Sequence, residues 1–458
     1  MANQVKNLNG VAITNIKNIN GQTDTNIKNF NGQEFTGTVD PSKISITNDL
    51  INSGRSWGGN VCYGSHLTDG TAQNQIFATY GDADNGAYPT VRVGTISGST
   101  VTWGTEVELD DGHGGSYHTE GIYNSEEKRF MCHYHTTSGS NHHYAIGFNI
   151  IDKSVDTPGT AALIEGGSGY NQAVNSNIAV YNPTSDTMDC IYEYGDDSSD
   201  GNHIRAVAFT DTSSNNNLTV GDRVEFANTN KEFMAIDYNS QRGQSVLVYN
   251  TADNTVKGRV VTHAATKTGS VADRVDVSGT ASTTEAQLST SANLQVSEYY
   301  GGRTICWNPD QNVHHVILNW DQGSGYVGTI ATVTIGSSND FTWESDFALV
   351  QSGSSSGSNT GGGIVYNHAR NRIVTYGATS SAVGSDYNFE YHTYDGNDYI
   401  SQGSATTLST LNGHFRGCGT TKTDTTALHA TGSFMVNHIY GGSNDGDGLR
   451  LYCMDPGG

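Results

Sequence analysis

Stretches with the apolar period of an α-helix are hard to find in this sequence, so a helical fold is a poor fit. Apolar runs are short as well. None approaches the ~18 residues that span a bilayer, and the opening MANQVKNLNG lacks the apolar core of a signal peptide. Membrane insertion is not expected, nor export by the general secretory route. The six cysteines (Cys62, Cys132, Cys190, Cys306, Cys418, Cys453) lie far apart with no CxxC pair. They read as buried free thiols, not as a disulfide scaffold or a zinc ribbon. Positive charge is also scarce. Twenty-three Lys and Arg face 46 Asp and Glu, a net charge of −23. Such a surface repels phosphate and argues against nucleic acid as a partner.

Glycine is plentiful, at 56 of 458 positions, and Asn, Ser, Thr and Asp crowd the gaps between short apolar runs. That mixture favours short strands joined by tight turns, because Gly, Asn and Asp accept the left-handed backbone that turns require.

Two repeats organise the chain. The first is an eleven-residue unit: NLNGVAITNIK (7–17), NINGQTDTNIK (18–28) and the fading NFNGQEFTGTV (29–39). Leu8, Ile19 and Phe30 share one register, Ile16 and Ile27 another. Each copy carries Asn-Gly, the strongest two-residue hairpin signal. A unit this small cannot bury its own apolar side chains, so these five residues are expected to dock on something else. Several lysines (Lys6, Lys17, Lys28, Lys43) make this segment less acidic than the body.

The second repeat sets the fold. An apolar residue, an aromatic and Asn recur at near-even intervals, ending at Asn124, Asn182, Asn239, Asn308 and Asn367. Weaker copies are CYG, ending at Gly64, and HAT, ending at Thr431. Each copy leads into alternating apolar runs such as FMCHYH and SVLVYN, whose period of two predicts strands with one face buried. A fourth run closes six units. It carries Gly five positions before an apolar residue in Gly104–Leu109, Gly159–Ile164, Gly221–Phe226 and Gly403–Leu408, with Glu344 replacing the glycine in FTWESDFAL. The seventh unit lacks a fourth run, and KISITNDLI (43–51) is there to supply it. The expected fold is all-β: a seven-bladed β-propeller (43–458) whose last blade is closed by an N-terminal strand, preceded by a small β-repeat attachment or oligomerisation segment (1–42).

LNGVAITNIKNINGQ resembles the short N-terminal repeats of bacteriophage tail and fibre proteins. VRVGTISGSTVTWGTEVEL resembles propeller repeats in phage virion proteins, marine ones included. The resemblance rests on repeat style over most of the chain, without a catalytic signature. It implies a virion component without fixing which one, laid out as an N-terminal attachment segment and a projecting propeller. The leading reading is a homo-oligomeric tail, fibre or capsid-appendage protein held to other virion proteins by the small repeats, with host-surface adsorption as a role it could serve. A free carbohydrate-binding lectin is the second reading, a polysaccharide-degrading enzyme the third.

No enzymatic activity is expected. Glycoside cleavage needs two carboxylates flanking the bond, and none of the acids sits in a recognisable catalytic motif. The nearest approach to a sialidase Asp-box, SSNDFTW (337–343), has no Gly and occurs once. The loops between second and third strands should share one face of the disc. They place Asp82, Asp84, Asp196, Asp197, Asp200, Asp321, Asp445 and Asp447 on an acidic rim suited to a host-surface glycan or a protein partner. Calcium is the cation such oxygen-rich loops would take, although none has EF-hand spacing. Tight turns want the same residues, so no cofactor is assigned. HYHTTSGSNHHY (133–144) is the other cluster: in a hairpin His133 and His135 share a strand face with His142 or His143 opposite, a set (His133, His135, His143) for zinc or nickel that lacks a neighbouring acid.

Overall fold

The computed structural model describes residues 7–8, 11–12, 18–19, 22–23, 29–30, 33–34, 45–54, 56–66, 72–97, 100–136, 142–151, 154–166, 177–195, 202–211, 215–229, 234–250, 256–268, 270–276, 286–287, 293–296, 304–321, 326–344, 348–352, 362–367, 372–378, 387–401, 406–408, 414–418, 434–439 and 449–455. Seven antiparallel sheets follow one another along the chain. Their inner strands are Ser56–His66, Ser116–Asn124, Asn177–Asn182, Met234–Asn239, Ile305–Asn308 (preceded in the same sheet by Asn293–Val296, which pairs with the same second strand), Gly362–Asn367 and His414–Cys418. Each packs beside the next, and the seventh returns to the first, so these strands line the centre of a closed ring. The chain is an all-β, seven-bladed propeller.

The last blade is completed from the other end of the sequence. Ser45–Asn52 pairs antiparallel with Leu449–Asp455, from Ser45 opposite Asp455 to Asn52 opposite Leu449. Before it lie three miniature hairpins. Leu8 pairs with Val11, Ile19 with Gln22 and Phe30 with Gln33, each around an Asn-Gly.

The expectation of one buried face per strand needs correcting: the second strands are buried on both. In Arg129–Thr136 every residue after the first is buried. Phe130, Cys132 and Tyr134 pack on blade one, while Met131 packs on blade three. The same alternation feeds the clusters between blades three and four, four and five, and five and six. A propeller blade is a layer between two layers, so its alternation sorts side chains by neighbour and not by solvent.

The aromatic-Asn repeat now has a physical account. Each Asn ends an inner strand, and in the four whose following turn is described its side-chain oxygen accepts two backbone N–H groups of that turn. Glu126 and Glu127 donate to Asn124, Thr184 and Ser185 to Asn182, Gln241 and Arg242 to Asn239, and Asp310 and Gln311 to Asn308. This is an Asx-type cap holding a four-residue loop. In blades four, five and six the preceding aromatic reaches back to the previous blade's loop, whereas Tyr181 Oη donates to Asp186 Oδ1 of its own turn at 3.0 Å. Tyr238 Oη meets Thr184 Oγ1 at 2.8 Å, Trp307 Nε1 donates to Ser240 Oγ at 3.0 Å, and Tyr366 Oη donates to Asp310 Oδ2 at 2.5 Å. One residue shapes the turn and its neighbour latches the turn before it.

The last loop position is left-handed in four blades: Lys128 (φ 58°), Asp186 (58°), Gly243 (67°) and Asn312 (57°). Lysine is the misfit, since a Cβ beside the carbonyl penalises this conformation. Its ammonium compensates by donating to Ser125 O at 2.8 Å. Replacing Lys128 with Gly is expected to stabilise the protein by roughly 0.5 kcal/mol in denaturant titration, the backbone gain less the lost hydrogen bond. A loss of stability would show that the ammonium contact dominates.

Glycine just ahead of the fourth strands of blades two and three answers a different need. A Cβ on Gly159 would lie 2.1 Å from Asn216 O, and one on Gly221 2.0 Å from Val275 O. The next blade's backbone is seated directly on them. In blade seven the sequence reading was displaced: the inner strand is His414–Cys418, and HAT (429–431) falls outside the described residues.

Candidate functional site

The antiparallel strand order sends the loops between second and third strands, and the connections from each fourth strand to the next blade, toward one end of the sheets; among those loops, 83–87 is described in full. Of the acidic residues expected on that face, Asp82 and Asp84 have described side chains. Asp321 ends a strand, and Asp196, Asp197, Asp200, Asp445 and Asp447 lie outside the described residues. Asp82 is a turn residue: its carboxylate accepts the Asp84 N–H at 3.2 Å and is almost wholly buried. Burial, then Glu106, push its pKa upward. Asp84 is exposed. Ile16 and Ile27 also lie outside the described residues, while Leu8, Ile19 and Phe30 occupy one position in the three hairpins.

The loop at 83–87 is zipped to the connection between blades one and two. Gly115 N donates to Gly86 O at 3.0 Å, Ser116 N to Ala87 O at 2.6 Å and Leu109 N to Pro89 O at 2.8 Å. Beside this connection a cleft of 360 Å³ opens between the two blades, bounded by Glu108, Asp110, Asp111 and His113 on one side and Ile146 and Pro158–Ala161 on the other. Its polar wall is braced. His113 Nδ1 sits 2.6 Å from Asp110 Oδ2, and Tyr134 Oη donates to the same oxygen. The His113 ring lies 4.1 Å from that of Tyr144, whose hydroxyl meets His142 Nδ1 at 2.9 Å. Burial raises the Glu108 pKa, and Asp111 and Asp110 add to it while Asn85 opposes. An acceptor-rich wall beside aromatic rings and apolar walls suits a hydroxylated ligand. The sequence pointed to the 81–86 loop, but not to Asp110 and His113, which belong to an interblade connection.

The histidine cluster forms inside the protein. Arg129–Thr136 and His143–Phe148 pair with His135 opposite His143 and His133 opposite Ala145. His133 Nδ1 faces His143 Nε2 at 3.4 Å, and His133 Nε2 meets Glu120 Oε2 at 2.9 Å. The acid that sequence reasoning found missing is Glu120, from the inner strand of the same blade. It also joins three blades, accepting Asn60 Nδ2 from blade one at 3.0 Å and Ala179 N from blade three at 2.8 Å. Cys190 of blade three completes the group: its sulfur and the two imidazoles lie within 4.8 Å of one another, all buried. Burial, then His133 and His135, hold His143 well below the usual imidazole range. Burial, then Glu120 and Asp189, push the Cys190 thiol up.

One further constellation has the residues of a hydrolase in the wrong order. Ser245 Oγ donates to Asp189 Oδ2 at 2.5 Å, and His263 Nε2 lies 2.9 Å from Asp189 Oδ1. The carboxylate stands between serine and imidazole, so the histidine is not placed to take the serine proton. Burial would raise the Asp189 pKa, but His263 and the hydrogen bonds lower it. This is an interblade brace between blades three and four.

No protein-family model matches the sequence, and none of the curated proteins matches it. Solved structures with similar architecture include the Nup133 β-propeller domain of Vanderwaltozyma polyspora (9% identity, 89% of this chain and 99% of that one, TM-score 0.44). Others are an α-L-arabinofuranosidase from Fusarium graminearum (10%, 90% and 98%, 0.43) and the six-bladed fucose lectin of Aleuria aurantia (11%, 81% and 97%, 0.35). The identities and scores are low, and the propeller assignment rests on the chain's own closed ring of seven sheets.

Proposed function

We propose that the protein is a non-enzymatic structural component of a bacteriophage particle: a propeller displayed on a tail, fibre or capsid appendage that contributes to host-surface adsorption. The observation that carries this reading is the run of three hairpins in one register ahead of the closed ring. Two-residue strands bury too little to stand alone, so a repeated apolar position at Leu8, Ile19 and Phe30 is useful only against a partner. The partners are other virion proteins and further copies of this chain, where weak contacts add through avidity. Recognition falls to the propeller face that carries the acidic loops and the 360 Å³ cleft, with a surface glycan as its target.

Removing residues 1–42 is expected to leave a folded propeller and abolish incorporation into particles. Immunogold microscopy of purified particles, with an antibody raised against 43–458, reads this directly. Gold should decorate particles carrying the full chain and be absent with the truncated one. Absence of the full-length protein from particles, together with glycan binding by 43–458, would overturn the virion reading in favour of a free lectin.

A further inference from the structure

The cluster between blades two and three has a geometry that hydrogen bonding alone does not require. His133 Nδ1 and His143 Nε2 face each other at 3.4 Å, long for a hydrogen bond. It equals the spacing of two nitrogens held ~2.0–2.1 Å from one tetrahedral zinc ion, roughly 3.3–3.4 Å. Cys190 Sγ, from the neighbouring blade, lies within 4.8 Å of a ring nitrogen of each imidazole, close enough for a small side-chain movement to bring it onto the metal.

We propose that His133 Nδ1, His143 Nε2 and Cys190 Sγ bind a zinc ion that clamps blade two to blade three. Glu120 supplies the supporting contact. Its Oε2 already accepts the Ala179 N–H, so the imidazole it meets carries its proton on Nε2. That leaves the His133 Nδ1 lone pair aimed at His143, the arrangement in which a carboxylate orients a metal-ligating histidine. Binding moves the His143 proton to Nδ1 and releases the Cys190 thiol proton to solvent. Charge then balances in the buried site: zinc at +2 against one thiolate and the Glu120 carboxylate. Three protein donors leave the fourth position for water. The ligand set differs from His133, His135 and His143, because only the folded ring brings Cys190 beside the blade-two hairpin. It is independent of where the protein is displayed.

The test uses the full chain, refolded from denaturant with zinc, or with cobalt(II) as its spectroscopic substitute, and passed over a desalting column. One zinc per chain is expected by elemental analysis, and the cobalt protein should show tetrahedral d–d bands with a sulfur-to-cobalt charge-transfer band. Cys190→Ser should lose the metal, Glu120→Gln should weaken binding by roughly 10–100-fold, and His135→Gln should retain it. The cobalt spectrum of the unmodified chain decides the matter even if a variant fails to fold. A refolded wild type without zinc and without the thiolate band overturns the proposal. So does full zinc occupancy in a folded Cys190→Ser protein.

Discussion

A chain beginning at residue 53 is expected to lose cooperative folding, whereas one beginning at residue 43 should unfold as the full protein does. The shorter chain lacks Ser45–Asn52, leaving Leu449–Asp455 as an open edge in blade seven. It also loses Ile51, which is fully buried and whose carbonyl accepts the Arg92 guanidinium of blade one. Two contacts break together: the sheet edge and the join between the last blade and the first. An eight-residue strand with a buried aliphatic is worth several kcal/mol, against a total stability of about 5–15 kcal/mol. Thermal unfolding followed by circular dichroism should show a fall on the order of 10 °C or more, with a broadened transition. A synthetic peptide covering 43–53 should restore part of it by adding back the strand. Identical transitions in both truncated chains would mean that the ring holds without its closing strand.

Acidification is the second large effect. His314, His315 and His392 are buried, and burial pulls their pKa values down to about 3, 3 and 4. His315 is bonded as a neutral ring: Asn308 Nδ2 donates to its Nε2 at 3.1 Å, and Nδ1 meets Tyr399 Oη at 2.6 Å. Folded-state values below the unfolded value of 6.5 mean that the unfolded chain binds more protons. Stability is therefore fully present above pH 6.5 and drains away as pH falls toward 4. By pH 4 each ring contributes a loss of about 3 kcal/mol, together comparable to the whole stability. Glu390 works the other way. Burial lifts its pKa to about 7, so acidification relieves a penalty there, but it is one partly exposed group against three buried ones. Tryptophan fluorescence is a suitable probe, because the His314 ring lies 4.7 Å from Trp307. The midpoint should fall between pH 4 and 6 and move to lower pH in a His314→Gln, His315→Gln double variant. A midpoint unmoved by that substitution would place the acid sensitivity elsewhere.

The seven units, their four-strand order and the closing strand were legible in the sequence because each depends on local pattern: alternation, a turn and a recurring Asn. The repeat was weakest in blade seven, where no aromatic-Asn pair marks the inner strand, and there the reading slipped. What local pattern does not carry is partnership between blades. Glu120 and Cys190 give no signal in their own strands. They matter because ring closure sets Glu120 against Asn60 and Ala179, and Cys190 against the histidine pair. Hairpin spacing set His142 or His143 against the strand of His133 and His135, and the register selects His143, whereas the third member, a lone buried cysteine, looks like any core residue. Asp82 shows the converse. Its loop position advertises an exposed acid, yet its carboxylate is turned inward to brace the turn.

The closing strand is also the place where the N-terminal repeats enter the ring. Any pull transmitted along residues before Ser45 reaches the propeller through the ladder between Ser45–Asn52 and Leu449–Asp455, before it can reach another blade. The strand that closes the circle and the strand that follows the N-terminal repeats are therefore the same element. A pull on the N-terminal segment loads one seam directly, whereas the six blades formed from continuous chain lie outside that load path.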